Sequence, residues 1–559
     1  MKCLLAPLFS WALASCGGGG DGPAPAAVQP LLAALAPDCA GAPCAAVDAT
    51  TYAGSGIGVW RYQNGSGGPA RVDISISGVA AGQVATLVFS NGSEAAASAP
   101  GPGSFAAPIS ASPLQADLSA MAGAAGGPRS QADGHLQMQE RNRAVSAGLI
   151  RIGAVAGAAG PPSGRLSALP RLSFTPAVGT SRSWTDNFPA APVAYPTSLQ
   201  SVCASPSGRN VLWWVDPGIV ASGKFTAGGW LAALGTLQTA YCGNAGGLAR
   251  LTALLGDVWG PAAAGFGNVI QDTAALQDVN VVLLNVPAGS GWAGYFFSGN
   301  NLLKSSLASS NEALAFFINA DQVKADLKFA SSALLHESTH MVNFYQRSLA
   351  RGVIHDTWLE ETSAMMTEDI VVPAVLGGYN ETLGGRLPAY LGTGGNVSYI
   401  NWPTLASSVP NYAIGGAFGA FLNRRHGLAI YQQLVTSCSD GVAANAALTS
   451  YACLDGLIKA GGGGGFSEEF ARFGATVFGQ LPVTGAPAAY GYPATAAGAY
   501  TLQARDLSAL ARVPPAPLTA GYAATSHTYL RDIVAAGKTA YVRSGVTVPA
   551  NTTLTLVIQ

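Results

Sequence analysis

The sequence predicts an α+β protein: a mixed sheet joined to a helical subdomain, with small β-rich domains near either end. Three observations predict it. Runs that alternate apolar and polar side chains lie at 58–62, 71–76 and 83–89, and strand signals return near 527–533, 539–543 and 552–558. In between, 209–215 and 279–286 are almost wholly apolar, as strands covered on both faces are. Helical spacing runs through 228–259, from 313 to about 370, and through 412–425, 428–437 and 467–478. Ser467 is the expected N-cap of the last of these, with Glu468 and Glu469 in its first turn. The stretch 291–297 reads as an edge strand, and the glycine run 461–465 as a loop, since no Lys-Ser/Thr follows it to cradle a phosphate.

A chain of 559 residues is long enough for several domains. Charged residues make up only 10% of it, against roughly 25% in an average soluble protein, and the net charge is -1. Nucleic acid is excluded as a partner, because the 28 Lys and Arg residues are scattered among 29 Asp and Glu with no basic stripe. A hydrophobic share of 49% excludes an acidic disordered chain.

The first residues bear on the compartment. Met1-Lys2 is basic, residues 3–13 are apolar, and Leu13-Ala14-Ser15-Cys16 closes the segment. This resembles a bacterial lipoprotein signal with its lipobox. The resemblance implies removal of 1–15, a lipid on Cys16 and attachment to a membrane. Gly17 stands where an Asp would retain such a protein at the inner membrane, so an outer-membrane, cell-surface or secreted location is expected. The domain reading is then a Gly/Ala/Pro tether at 16–45, a β-rich domain at 46–177, the catalytic domain at 178–482 and a second β-rich domain at 483–559. Six cysteines remain after Cys3 and Cys16, an even number that favours disulfides in an exported chain. Of the fifteen pairings we choose nearest neighbours: Cys39 with Cys44, Cys203 with Cys242, Cys438 with Cys453.

One segment carries chemistry: Leu335-His336-Glu337-Ser338-Thr339-His340-Met341. On a helix, His336 and His340 lie one turn apart on one face, so both imidazoles reach a single cation. Zinc is the expected ion, since it takes neutral imidazole nitrogens and keeps a position open for water in hydrolytic sites. Glu337 beside them is the expected general base and acid. Three of the chain's six His and four of its ten Glu fall between 336 and 368, a concentration of ligands in a chain so poor in charge.

A third protein ligand is required. A metzincin would need Gly and His at positions that hold Asn343 and Gln346, so that class is excluded. A gluzincin takes a Glu from a second helix, and Thr357-Trp358-Leu359-Glu360-Glu361 begins one. Glu360 and Glu361 compete. Thr357 and Glu360 are spaced as a capping box, which occupies Glu360 and favours Glu361 as ligand. His355 and Asp356 are the rivals. Glu368 shares a helix face with Glu361 and is placed to bond a ligand histidine's second nitrogen.

These residues, with Ser363-Ala364-Met365-Met366-Thr367-Glu368-Asp369 and, more weakly, 294–300 and 411–422, resemble the hyicolysin family of bacterial metallopeptidases. The resemblance implies a secreted zinc endopeptidase with a thermolysin-like (gluzincin) catalytic domain, acting on proteins or peptides, with the two histidines and the helix-borne Glu as ligands. Thermolysin-like enzymes carry an Asp four residues after the ligand Glu, where this chain has Met365. Tyr412 is the candidate donor to the reaction's oxyanion. His426 is assigned to a helix C-terminus. The other function classes are a surface adhesin or agglutinin with an inactive or structural zinc site, and a zinc hydrolase of peptidoglycan or a small amide.

Overall fold

A strand from late in the chain lies between two from its early part. In this computed structural model, which describes residues 32–105, 110–113, 132–158, 176–205, 208–271, 277–403, 407–440, 448–518 and 521–559, Thr552–Ile558 pairs antiparallel with both Gly58–Gln63 and Val84–Asn91. Ser526–Val534 pairs with the other side of Val84–Asn91. A second, three-stranded sheet places Ala70–Ser77 between Leu32–Ala33 and Ala540–Val548. Trp60, Ile74, Leu87, Phe89, Tyr541 and Leu556 fill one core of this β-sandwich. The two β-rich regions expected as separate flanking domains are therefore one domain. The residue pattern shows each strand's faces, but not which distant strand completes its ladder.

Two further boundaries are corrected. Residues 32–45, expected in the tether, supply strands to the sandwich, and Leu35 is buried there because its side chain joins the core. Residues 492–502 belong with the catalytic lobe: the Tyr492 hydroxyl donates to Ala417 O at 2.9 Å, and a hairpin of Thr495–Ala497 and Tyr500–Leu502 follows. The proposed signal, its Cys16 and residues 16–31 lie outside the described residues. Among the described residues, no helix is long and apolar enough to cross a membrane. The three disulfides pair as expected, Cys39–Cys44, Cys203–Cys242 and Cys438–Cys453.

The catalytic lobe is built on a six-stranded mixed sheet of β1 (Ser181–Asp186), β2 (Val193–Ala204), β3 (Asn210–Val215), β4 (Val279–Leu284), β5 (Gly294–Phe296) and β6 (Leu314–Asn319). The order is β5-β6-β4-β3-β2-β1, with β6, β4 and β3 parallel and β5 an antiparallel edge. Burial on both faces explains the apolar runs: Trp213, Val281 and Phe316 point into one core, Trp214, Val282 and Phe317 into the other. β6 corrects the expectation of helix from 313 onward. Its six residues, Leu-Ala-Phe-Phe-Ile-Asn, are too short and too uniformly apolar to show a period.

Four helices matter for the site: α1 (Ala132–Ala158), α2 (Leu327–Asn343), α3 (Thr357–Ile370) and α4 (Val409–His426). α1 is a 27-residue helix inside a region expected to be β-rich; its mixed face of Gln, Arg and Asn hides the period. Helix Phe466–Phe478 lies between the lobe and the sandwich, capped by Gly465 rather than Ser467. Gly465 has φ +102°, a conformation other residues resist.

Candidate active site

α2 starts cleanly because the Asp326 carboxylate accepts the Phe329 N–H at 2.9 Å. From Phe329 to Asn343 every residue is buried, so the helix is fixed on all sides. Its His336 and His340 rings lie 4.8 Å apart, centre to centre. α3 brings Glu361 between them: Oε2 is 3.1 Å from His336 Nε2 and Oε1 is 3.6 Å from His340 Nε2. One ligand atom from each of the three lies within 4.8 Å of the others. Glu361 Oε1 is fully buried and has no hydrogen-bond partner. Two imidazole nitrogens and an orphaned carboxylate oxygen form a donor set that suits a zinc-type cation.

The outer nitrogens are held too. His336 Nδ1 is 2.7 Å from Glu368 Oε1, and Glu368 accepts Arg386 Nε at 2.9 Å and Nη2 at 2.8 Å. His340 Nδ1 is 2.8 Å from Glu360 Oε1, which also accepts Asn343 Nδ2 at 3.0 Å. Such bonds fix the ring orientation and direct both Nε2 atoms toward Glu361, where the three would hold a cation. The capping-box expectation is thus corrected: α3 starts after Asp356, and Glu360 turns to His340 because that imidazole, not the helix end, lies within reach. Glu360 and Glu368 serve the histidines from other positions than the one that Met365 fills.

Burial pushes all these carboxyls up, but their partners win at Glu360, Glu361 and Glu368. His340 and His336 hold Glu361 at about 2, and Arg386 with His336 holds Glu368 at about 2. Burial lowers the His336 pKa, but Glu361 and Glu368 together lift it to about 10. The carboxylates thus draw positive charge onto the two histidines, a charge that a bound cation would supply instead. Glu337 differs: burial dominates and raises it above the usual carboxylate range.

Residues 193–559 match the peptidase M30 family, the hyicolysin family. The chain belongs to the peptidase M30 family. M30 peptidases are metal-dependent. The match runs through the catalytic lobe and on through Ser526–Val534, Ala540–Val548 and Thr552–Ile558, which complete the sandwich. Residues 37–101 match a domain of unknown function, DUF8571. No curated protein matches the chain.

In this M30 peptidase the metal-binding group opens into a cleft of about 630 Å³ lined by His336, Glu337, Glu368, Arg386 and Tyr412, among others. Glu337 is 2% exposed. The edge strand comes close to it only because β5 begins with glycine: a Cβ on Gly294 would sit 3.1 Å from Glu337 Cγ. Tyr412, in the first turn of α4, reaches the same cleft. Burial and the nearby Glu361 and Glu337 charges raise its pKa well above ordinary, so its hydroxyl stays protonated. Gly416 lets α4 approach, since a Cβ there would fall 2.5 Å from Arg386 Cδ.

The rival ligands lie elsewhere. His355 Nδ1 is 2.7 Å from Asp440 Oδ2, in a second potential metal group whose Cys438 is occupied by its disulfide to Cys453. Asp356 pairs with Arg143 at 2.5 Å. His426 sits in the last turn of α4, as expected. The sequence reading missed Arg386, His135 and Gln139. Arg386 has no local signal, whereas His135 was a sixth of the chain's histidines and was left unweighed.

Proposed function

We propose that the chain is a zinc endopeptidase that cleaves extended segments of extracellular or envelope proteins. The observation that carries this reading is the convergence of His336, His340 and Glu361, with Glu361 Oε1 buried and unpartnered, beside a Glu337 whose pKa burial has raised. His336, His340 and Glu361 would hold the ion. When bound, zinc supplies a Lewis acid and brings the pKa of water toward ~7. Glu337, with its raised carboxyl pKa, would act as the base that accepts a proton from the attacking water and as the acid that returns it to the leaving amine. Tyr412 donates its hydroxyl proton in a hydrogen bond to the oxyanion that develops on the substrate carbonyl. β5, bonded to β6 on one side only, offers its other edge to the main chain of an extended peptide, with side chains lying alternately toward the cleft. A signal at 1–15, removed to leave a lipid-bearing Cys16, would deliver this activity outside the cytoplasm.

Cleavage of a quenched-peptide library, with and without a chelator, tests the reading. Glu337→Gln is expected to slow turnover about 10²- to 10⁴-fold while retaining one zinc per chain. Equal turnover by that variant would sink the assignment of Glu337, and turnover that survives metal removal would sink the zinc mechanism.

A further inference from the structure

Part of the chain itself already lies in the cleft. α1 falls outside the residues matched by the family, yet it packs against the site and its His135 lines the cleft. Its inward face is not the apolar stripe of an ordinary packing helix. His135, Gln139, Asn142 and Ser146, spaced by four, three and four residues along one face, are all buried. Burying polar side chains is unfavourable unless they find partners, and for Gln139 and Asn142 the partners are residues of the candidate site.

Gln139 comes first. Its side-chain amide nitrogen lies 3.1 Å from His340 Nε2, the nitrogen that faces the cation, Nδ1 being taken by Glu360. Asn142 follows one turn later on the free edge of β5. Its Nδ2 donates to Phe296 O at 2.9 Å, and its Oδ1 accepts from Ser298 N at 2.8 Å and Ser298 Oγ at 3.0 Å. One donor and one acceptor, presented to the main chain of residues 296 and 298, reproduce the pattern of an extended peptide pairing with that edge. The rim is held by Arg143 on Asp356 at 2.5 Å, by Thr357 Oγ1 donating to Glu140 Oε1 at 3.3 Å, and by the Arg141 guanidinium 4.6 Å from the Phe297 ring centre. Leu136, Met138, Leu149 and Ile150 add apolar contact. Each polar bond can be exchanged for one to water, so this face is detachable in a way that a wholly apolar face is not.

We propose that α1 is an inhibitory segment that occupies the substrate site in cis, with Asn142 in place of a substrate main chain on the β5 edge and Gln139 at the metal-facing side of His340. It rests on the peptidase reading above. Substrate enters once α1 has left, and the fraction of molecules with α1 released scales the apparent affinity for any peptide.

The test compares the full chain, loaded with zinc, with the Gln139→Ala/Asn142→Ala chain prepared in the same way. Three quantities are measured: turnover of a quenched peptide, affinity for a fluorescent peptide hydroxamate that binds at the metal without being cleaved, and hydrogen exchange over 132–158. The variant is expected to bind the hydroxamate about tenfold more tightly and to turn over faster by a similar factor. Exchange over α1 should quicken while that over α2 and α3 is unchanged. A variant that binds the hydroxamate no better than the parent overturns the proposal, whatever its turnover. So does faster exchange over α2 and α3, since α1 would then be a structural support of the site. If neither chain cleaves peptide but the variant still binds about tenfold more tightly, α1 is the occupant and the peptidase reading is what falls.

Discussion

Glu360 Oε1 lies 2.8 Å from His340 Nδ1, whereas its neighbour in sequence, Glu361, points at the Nε2 atoms of both histidines. In the proposed zinc site these two adjacent carboxylates would have different duties, one orienting a ligand and the other completing the set. Glu360→Ala is expected to weaken zinc binding about 10- to 100-fold while leaving a one-to-one site. Glu361→Ala should remove stoichiometric zinc altogether. Chelator competition with a metal indicator distinguishes the two, and equal losses would show that both carboxylates bind the ion.

Tyr412 provides a second prediction. Its hydroxyl is buried near Glu361 and Glu337, and beyond its interaction with Glu361 it makes no hydrogen bond of good geometry, so a substrate oxyanion could take its proton in a hydrogen bond. Tyr412→Phe keeps the ring that packs on Trp402, 4.7 Å between centres. Turnover should fall about 10²- to 10³-fold with KM little changed. A fall in affinity alone, with kcat intact, would make Tyr412 a wall of the cleft and nothing more.

Two glycine-to-alanine changes should move stability in opposite directions. At Gly474 an added Cβ would lie 2.4 Å from His527 Nδ1, and that ring is pinned by Phe470, 4.1 Å centre to centre, and by Ser90 Oγ at 2.9 Å. Overpacking of about 1–3 kcal/mol outweighs the gain in helix propensity of up to about 1 kcal/mol, so Gly474→Ala lowers Tm. At Gly456, in helix Ser450–Ala460, nothing lies within 4 Å of the added carbon. Gly456→Ala gains the propensity alone and raises Tm. Thermal unfolding of both variants checks the pair of signs.

The same His527 sets a dependence on pH. Burial pushes its pKa from 6.5 down to about 3, so the folded chain holds it neutral. Below about pH 6.5 the unfolded chain takes up a proton that the folded one does not, so stability falls as pH drops toward about 3 and is unaffected by this group above 6.5. The slope from this one residue is about 1.4 kcal/mol per pH unit. Urea midpoints of the parent and of His527→Phe, measured between about pH 6 and about pH 4, should show the shallower slope in the variant. Identical slopes would assign the acid sensitivity to other groups.

The group that could hold a metal was within reach of the sequence because its spacing is local: His336 and His340 lie one turn apart on one helix, with Glu337 beside them, and Glu361 and Glu368 are spaced on the next. Glu360 was misread because capping and histidine orientation ask for the same residue type, and only the fold shows which partner is near. β6 was lost because a six-residue apolar run fits strand and buried helix equally. Arg386 and Gln139 reach the site from distant segments, and no spacing along the chain relates them to it. The sandwich failed for the same reason on a larger scale, each strand being recognisable and its neighbour not.

The arrangement of that sandwich constrains how the molecule is made. Gly58–Gln63 and Val84–Asn91 emerge early from the ribosome, but they do not border one another; the place between them belongs to Thr552–Ile558. Until that strand is in place, both early strands keep an open edge. A chain stalled or cut before residue 552 is left with unpaired edges, the surface at which aggregation and degradation begin. The sandwich therefore closes only in molecules whose chain includes Thr552–Ile558.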